Sequence, residues 1–163
     1  MSVNLSTEQL KDDSFFEKLD EILSKYPFSE GEFLLELTES IMIQNSPSMI
    51  QNLARLRERG IQLAIDDLGT GFSSLSYLKH FPVKTLKIDR SFIPDTLDNR
   101  EDMAICETII QLAQSLNLDL IAEGIETTEQ MEWLITKGVH HAQGFFFAKP
   151  VDAETFQNYL ILK

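Results

Sequence analysis

The sequence predicts an α/β fold: a TIM-type β/α barrel that is incomplete, with about six of eight β/α units. Three observations predict it. Short runs rich in Leu, Ile, Val and Phe alternate six times with longer segments of helical period, the pattern of parallel strands joined by helical crossovers. Charged and amide residues collect at the carboxyl ends of nearly every run, as in a barrel whose strand ends open on one face; an open doubly wound sheet gathers its site near one switch point instead. At 163 residues, the chain also falls below the roughly 200 or more residues of a complete barrel.

The elements follow in order. VNLS ends its strand at Asn4, and Ser6 with Gln9 matches a capping box that opens the next helix. FLLELTES ends in Glu36 and Glu39. Gly60 marks a helix C-terminus ahead of QLAIDDLG, which ends in the adjacent carboxylates Asp66 and Asp67 and turns through Gly69, Thr70 and Gly71. TLKIDRSF carries Lys87 and Asp89. In the helical run EDMAICETIIQLAQSL, steps of four, three and four put Ile105, Ile109, Leu112 and Leu116 on one face. LDLIAEGIE ends in Glu123 and Glu126, Thr127 with Gln130 forms a second capping box, and Gly138 closes that helix. The sixth run is QGFFFAKP, introduced by Gln143, with Phe145, Phe146 and Phe147 expected in the core and against helices.

Composition narrows the function. A formal net charge of −12 argues against a general DNA or RNA surface, since phosphate backbones select basic stripes. No apolar run approaches a membrane span, and the single Cys106 excludes an internal disulfide and fits a reducing compartment, so the segment reads as cytoplasmic with no membrane contact of its own. The His140-His141 pair reads as a surface feature, because neighbours in a strand diverge and nothing nearby completes a ligand set. Gly69-Thr70-Gly71 is not a dinucleotide fingerprint, for Ser74 stands where the third glycine belongs.

The acidic pair carries the chemistry. Asp66 and Asp67 point to opposite faces within a strand and share a site only where the strand ends and the backbone turns. Two carboxylates in one low-dielectric site repel, and a hard divalent ion relieves that repulsion. Oxygen ligands from Asn4, Glu36, Asp66 and Asp67 suit Mg²⁺ or Mn²⁺, and this many carboxylates predict two ions, the usual machinery of phosphoryl hydrolysis.

In order along the chain, VNLS, ELTES, DDLGTGFSSL, KIDRSFI, AEGIET and QGFFFAKP resemble the motifs of the EAL-type phosphodiesterases of bacteria, which hydrolyse cyclic di-GMP to linear pGpG. The resemblance runs from Val3 to about Pro150 and implies roles residue by residue. Lys87, Glu123 and Asp67 are then catalytic, Lys87 contacting the attacking water. Asn4, Glu36, Asp66, Asp67, Asp89 and Glu123 are the ligands of the two Mg²⁺ or Mn²⁺ ions. Glu39 anchors the loop after the acidic pair, with Gly69, Thr70, Gly71, Glu126 and Gln143 supporting loop and substrate. Leu68 replaces a commoner Phe with little expected effect.

The resemblance also implies that residues 1–163 form a partial domain, the third to eighth strands with their helices, lacking the strand that carries the naming Glu-Ala/Val-Leu motif and its arginine. Two expectations follow: weak or absent hydrolysis by this chain alone, and unpaired sheet edges that favour a homodimer or higher self-association. Sensory or GGDEF-type domains are expected in a longer parent, which is free to carry its own membrane anchor. Non-catalytic cyclic di-GMP binding and a purely dimerising role are the alternative readings.

Overall fold

The computed structural model describes residues 1–12, 14–43, 46–66, 78, 81–96 and 99–161. Six strands, β1 (Ser2–Asn4), β2 (Leu34–Thr38), β3 (Gln62–Asp66), β4 (Thr85–Ile88), β5 (Asp119–Ala122) and β6 (His141–Ala142), form one sheet in sequential order with every pairing parallel. The sheet curls into an incomplete TIM-type barrel. Around it lie α1 (Thr7–Lys11), α2 (Ser14–Lys25), α3 (Ser40–Ile43), α4 (Pro47–Glu58), α5 (Arg100–Ser115), α6 (Thr128–Thr136) and α7 (Ala153–Ile161), with a 3₁₀ turn at Arg90–Phe92.

Register and alternation divide the residues between the two faces. Asn4 pairs with Glu36 and Glu36 with Ala64, while Ala64 pairs with Thr85 and Lys87 with Ile121. Side chains two apart share a face, so Asn4, Glu36, Asp66, Lys87, Glu123 and Gln143 fall on one side of the sheet. The other side carries Leu35, Leu37, Leu63, Ile65, Leu86, Ile88, Leu120 and Ala122, all buried. This apolar face meets the helices, with α4 packed on β3 and α5 on β4 and β5. The core is therefore the layer between sheet and helices.

Local signals explain the helix ends. Ser6 Oγ accepts from the Gln9 amide while Gln9 Oε1 accepts from Ser6 N–H, and Thr127 with Gln130 repeats the arrangement, so both capping boxes are present. Gly60 and Gly138 follow α4 and α6 at φ +79 and +83, the left-handed conformation that favours glycine at a helix stop. In α5 the most buried positions are Cys106, Ile110 and Ala113. Ile109 and Leu116 flank that stripe, whereas Ile105, expected on the buried face, is 48% exposed. The stripe lies one residue round from the predicted one because the small Cys106 and Ala113 let the helix approach the strands. Burial pushes the Cys106 thiol up to about 12, with the Glu107 carboxylate adding to the effect.

The sixth strand needs correction. It is His141–Ala142, upstream of QGFFFAKP, and Gln143 directly follows it instead of introducing it. The three phenylalanines lie in a turn closed by Phe147 N–H to Gly144 O at 3.1 Å, and they are exposed, not core. Gly144 fixes where the chain leaves the strand: a Cβ there would lie 2.2 Å from the Ile125 carbonyl oxygen. His141 is exposed, in keeping with a surface position. No helix among the described residues is long and apolar enough to cross a membrane.

Candidate active site

Lys87 is the centre of the polar face. All four residues of β4 are buried, and the Lys87 side chain is 3% exposed. Its ammonium lies 2.7 Å from Glu36 Oε2 on β2, 3.2 Å from Asp66 Oδ2 on β3, and in direct contact with Glu123 just after β5. Four neighbouring strands thus deliver one cation and three carboxylates to one point. Gln143, just after β6, donates from Nε2 to Glu123 Oε1 at 2.5 Å and extends the cluster to the fifth strand end.

The electrostatics follow from the count. Burial alone would pull the Lys87 ammonium down, but hydrogen bonds to Glu123 and Glu36 and the nearby Asp66 charge together outweigh it and hold the group well above the usual lysine range. Glu123 moves up, chiefly by burial, with Asp66 and Glu36 repelling its charge and Lys87 only partly offsetting them. One ammonium cannot neutralise three carboxylates, and the excess negative charge adds to the upward push on Glu123.

The remaining expected residues are placed as follows. Asn4 is exposed and level with Glu36 in the sheet register. Glu39 is buried, and its backbone N–H donates to Asp66 O at 3.1 Å, tying the end of β2 to the end of β3. Asp89 is not gathered with Lys87; its Oδ1 accepts from Ser91 N–H at 2.9 Å and from the Ser91 hydroxyl, which holds its carboxyl below the usual range and caps the 3₁₀ turn. Glu126 Oε1 pairs with the Arg90 guanidinium at 2.7 Å. Asp67, Gly69, Thr70 and Gly71, with Leu68 and Ser74, lie outside the described residues.

Arg90 and Gly124 escaped the sequence reading, which had Gln130 only as part of a cap. Arg90 bridges to Glu126 with its stem laid over Gly124, where an added Cβ would come within 2.6 Å of it; Gly124 also sits at φ +67. Buried Gln130 accepts from Glu126 N–H and Thr127 N–H and donates to Pro94 O at 3.1 Å, locking the loop after β5 to the segment after β4. A basic residue directly following KID in so acidic a chain was the available signal for Arg90. Arg90, Gly124 and Glu126 border a cleft of about 830 Å³, which Glu123, Gln143, Phe145, Phe156 and Tyr159 also line.

Metal chemistry can be tested against this donor set. Among the described residues no three His, Cys, Asp or Glu side chains are grouped as an ion site, for the carboxylates close on Lys87. Their chemistry nevertheless fits a hard divalent cation: the donors are all oxygen, and three carboxylates against one ammonium leave uncompensated negative charge.

A family model described as EAL domain matches residues 1–150. The cyclic di-GMP phosphodiesterase PdeR of Escherichia coli is 36% identical over 98% of this chain, which covers 24% of PdeR. The crystal structure of the EAL domain of Mycobacterium smegmatis DcpA superposes with a TM-score of 0.90 at 40% identity, covering 98% of this chain and 71% of that one. The EAL enzyme Bd1971, solved with cAMP and cyclic di-GMP bound, gives a TM-score of 0.91 at 38% identity over 98% of this chain and 42% of its own. The chain spans about a quarter or less of the length of the curated relatives it matches.

Proposed function

The chain belongs to the EAL domain family, and from that premise we propose that it supplies the catalytic face of a cyclic di-GMP phosphodiesterase, in which water attacks one phosphodiester to give linear pGpG. Its six strands then correspond to the third to eighth of the barrel, within a longer bacterial protein whose other domains carry the input. A cytoplasmic position suits the single reduced cysteine.

The observation that carries this reading is the Lys87 ammonium held among Glu36, Asp66 and Glu123 at adjoining strand ends. Because Lys87 stays protonated, it acts as a fixed cation that orients an attacking water and stabilises charge at the phosphate, not as a base. Glu123, whose proton affinity is raised, is suited to accept the proton that the water gives up, and the Gln143 amide fixes its carboxylate. The bond that breaks is P–O, and the departing ribose oxygen takes up the proton that Glu123 has accepted and leaves as a hydroxyl. Asn4, Glu36, Asp66 and Asp67, with Glu123, are the residues that would hold Mg²⁺ or Mn²⁺. When bound, such ions supply Lewis-acid polarisation of a phosphoryl oxygen and acidify water.

The test is incubation of the 163-residue chain with cyclic di-GMP and Mg²⁺ or Mn²⁺, with products separated by chromatography. Slow formation of pGpG, abolished by chelator and by Asp66→Asn in a folded variant, is expected. Turnover that survives both changes would overturn the assignment.

A further inference from the structure

Lys87 and Glu123, the fixed cation and the proton acceptor of the reaction above, sit on separate segments. Lys87 lies in β4, and Glu123 opens the loop between β5 and α6. These strands adjoin, and each has a further neighbour on its other side. Among the described residues, three ties join the segment that leaves β4 to the loop that follows β5. Glu123 N–H donates to Ile88 O at 3.0 Å. The Arg90 guanidinium reaches Glu126 at 2.7 Å, its stem over Gly124. Gln130 Nε2 donates to Pro94 O at 3.1 Å, while its Oε1 accepts from Glu126 N–H at 2.9 Å and from Thr127 N–H at 3.1 Å.

Their surroundings rank these ties. The first is a backbone bond, open to almost any sequence. The Arg90 and Glu126 side chains are 60% and 43% exposed, and an ion pair in that setting contributes little. Gln130 is buried beside the buried Pro94, where losing a partner leaves a polar atom unsatisfied away from water. Among side chains, Gln130 therefore holds the two segments together most firmly.

A helix cap alone does not call for this residue. The capping box is completed by Glu or Gln, because it uses only an acceptor oxygen. Gln9 fills that place in α1 and is exposed. At Gln130 the other half of the amide is used as well, as a donor to a carbonyl 36 residues earlier in the chain. An ionised glutamate would cap equally well but has no proton for Pro94.

We propose that Gln130 is a positioning residue for the phosphodiester reaction: by tying Pro94 to the loop after β5, it fixes Glu123 against Lys87. The consequence for turnover rests on the hydrolytic reading, and the tie itself does not. The effect passes through the backbone from Glu126 to Glu123, which is held at both ends. A misplacement of about 1 Å at a reacting group is enough to lower a rate about a hundredfold.

The experiment compares two variants of the 163-residue chain. Gln130→Met removes the cap acceptor and the tie together, whereas Thr127→Ala removes the other half of the capping box and leaves the tie. The readouts are the Lys87 ammonium resonance in proton–nitrogen spectra, amide hydrogen exchange, and pGpG formation with Mn²⁺. For Gln130→Met, the Lys87 resonance should shift, and the Phe92, Ile93 and Glu123 amides should exchange about tenfold faster or more. These amides donate to Asp89, Arg90 and Ile88, not to Gln130. Its kcat should fall about tenfold or more, with KM within about twofold. Thr127→Ala should leave the Lys87 resonance in place, confine faster exchange to the first turn of α6 and keep kcat within about threefold. The same pattern in both variants would reduce Gln130 to a cap and overturn the proposal, as would an unmoved Lys87 resonance in Gln130→Met. If Gln130→Met does not fold, Gln130→Glu, which in its ionised form keeps the cap and loses the donor, is judged by the same criteria. A parent chain without turnover would defeat the hydrolytic reading, while resonance and exchange would still decide whether Gln130 fixes Glu123 against Lys87.

Discussion

Strands β4 and β1 belong to the same parallel sheet, yet every residue of β4 is buried and every residue of β1 is exposed. Propensity does not separate them, for Thr-Leu-Lys-Ile and Ser-Val-Asn each place an apolar residue beside polar ones. The difference lies in neighbours. β4 has a strand on each side and α5 behind it, whereas β1 has β2 alone in the sheet. Burial in such a sheet is a property of position in the order of strands. It decides where a charge can be kept: Lys87 is held dry in β4 because β2, β3 and β5 each bring it a carboxylate, while Asn4 on β1 remains open to water.

The sharpest way to break this comparison is Lys87→Met. Removing the cation leaves three carboxylates crowded without a partner, and a loss of about 3–5 kcal/mol is expected in urea unfolding near neutral pH. The pH dependence has a definite sign. Lys87 is raised in the fold above its ordinary 10.5, so its contribution is complete below that value and is lost as pH climbs through the higher folded one. A variant that retained the parent's alkaline decline would show that the decline arises elsewhere.

Next in size is a paired truncation. Leu63→Ala in β3, at a fully buried site, should cost about 2–5 kcal/mol. Val3→Ala in β1, 41% exposed, should stay within about 0.5 kcal/mol. Equal losses would mean that β1 is as well supported as the middle of the sheet. Between these zones, Thr127→Ala removes the cap that fixes the loop after β5, and a loss of about 1 kcal/mol in thermal or urea unfolding is expected.

The smallest effect is a gain. Since the fold favours protonated Glu123, Glu123→Gln should stabilise the chain by under about 1 kcal/mol near pH 7, at the expense of any turnover. The gain should vanish as pH falls below the ordinary carboxylate range, where both side chains are neutral. A loss at neutral pH would show that the hydrogen bonds from Lys87 and Gln143 outweigh the crowding of charge.

Much of this was legible in the sequence because it depends on local rules. Short apolar runs alternating with helical segments placed Asn4, Glu36, Asp66, Lys87 and Glu123 at or near strand ends, and the Ser6 and Thr127 capping boxes follow from residue type and spacing alone. The errors come from what spacing does not encode. Phe145, Phe146 and Phe147 were assigned to the core on hydrophobicity, which says nothing about whether another element covers them. The sixth strand was sought in the most apolar run, although its backbone pairing with β5 falls at His141–Ala142. Asp89 shares the alternation of Lys87, but the chain leaves the strand before it, and the nearer Ser91 takes its carboxylate. The Arg90–Glu126 bridge joins two loops 36 residues apart, a distance at which pattern carries no information about contact.

Cys106 has a practical consequence of its own. It is the only thiol in the chain, and it is fully buried on α5 with its ionisation pushed up to about 12. The nucleophilic thiolate is therefore scarce while α5 stays on the sheet, and an ordinary thiolate population returns only when the helix lifts away. Alkylation of native protein thus acts as a built-in clock. Its rate counts the openings of the helix behind β4 and β5, without any engineered label.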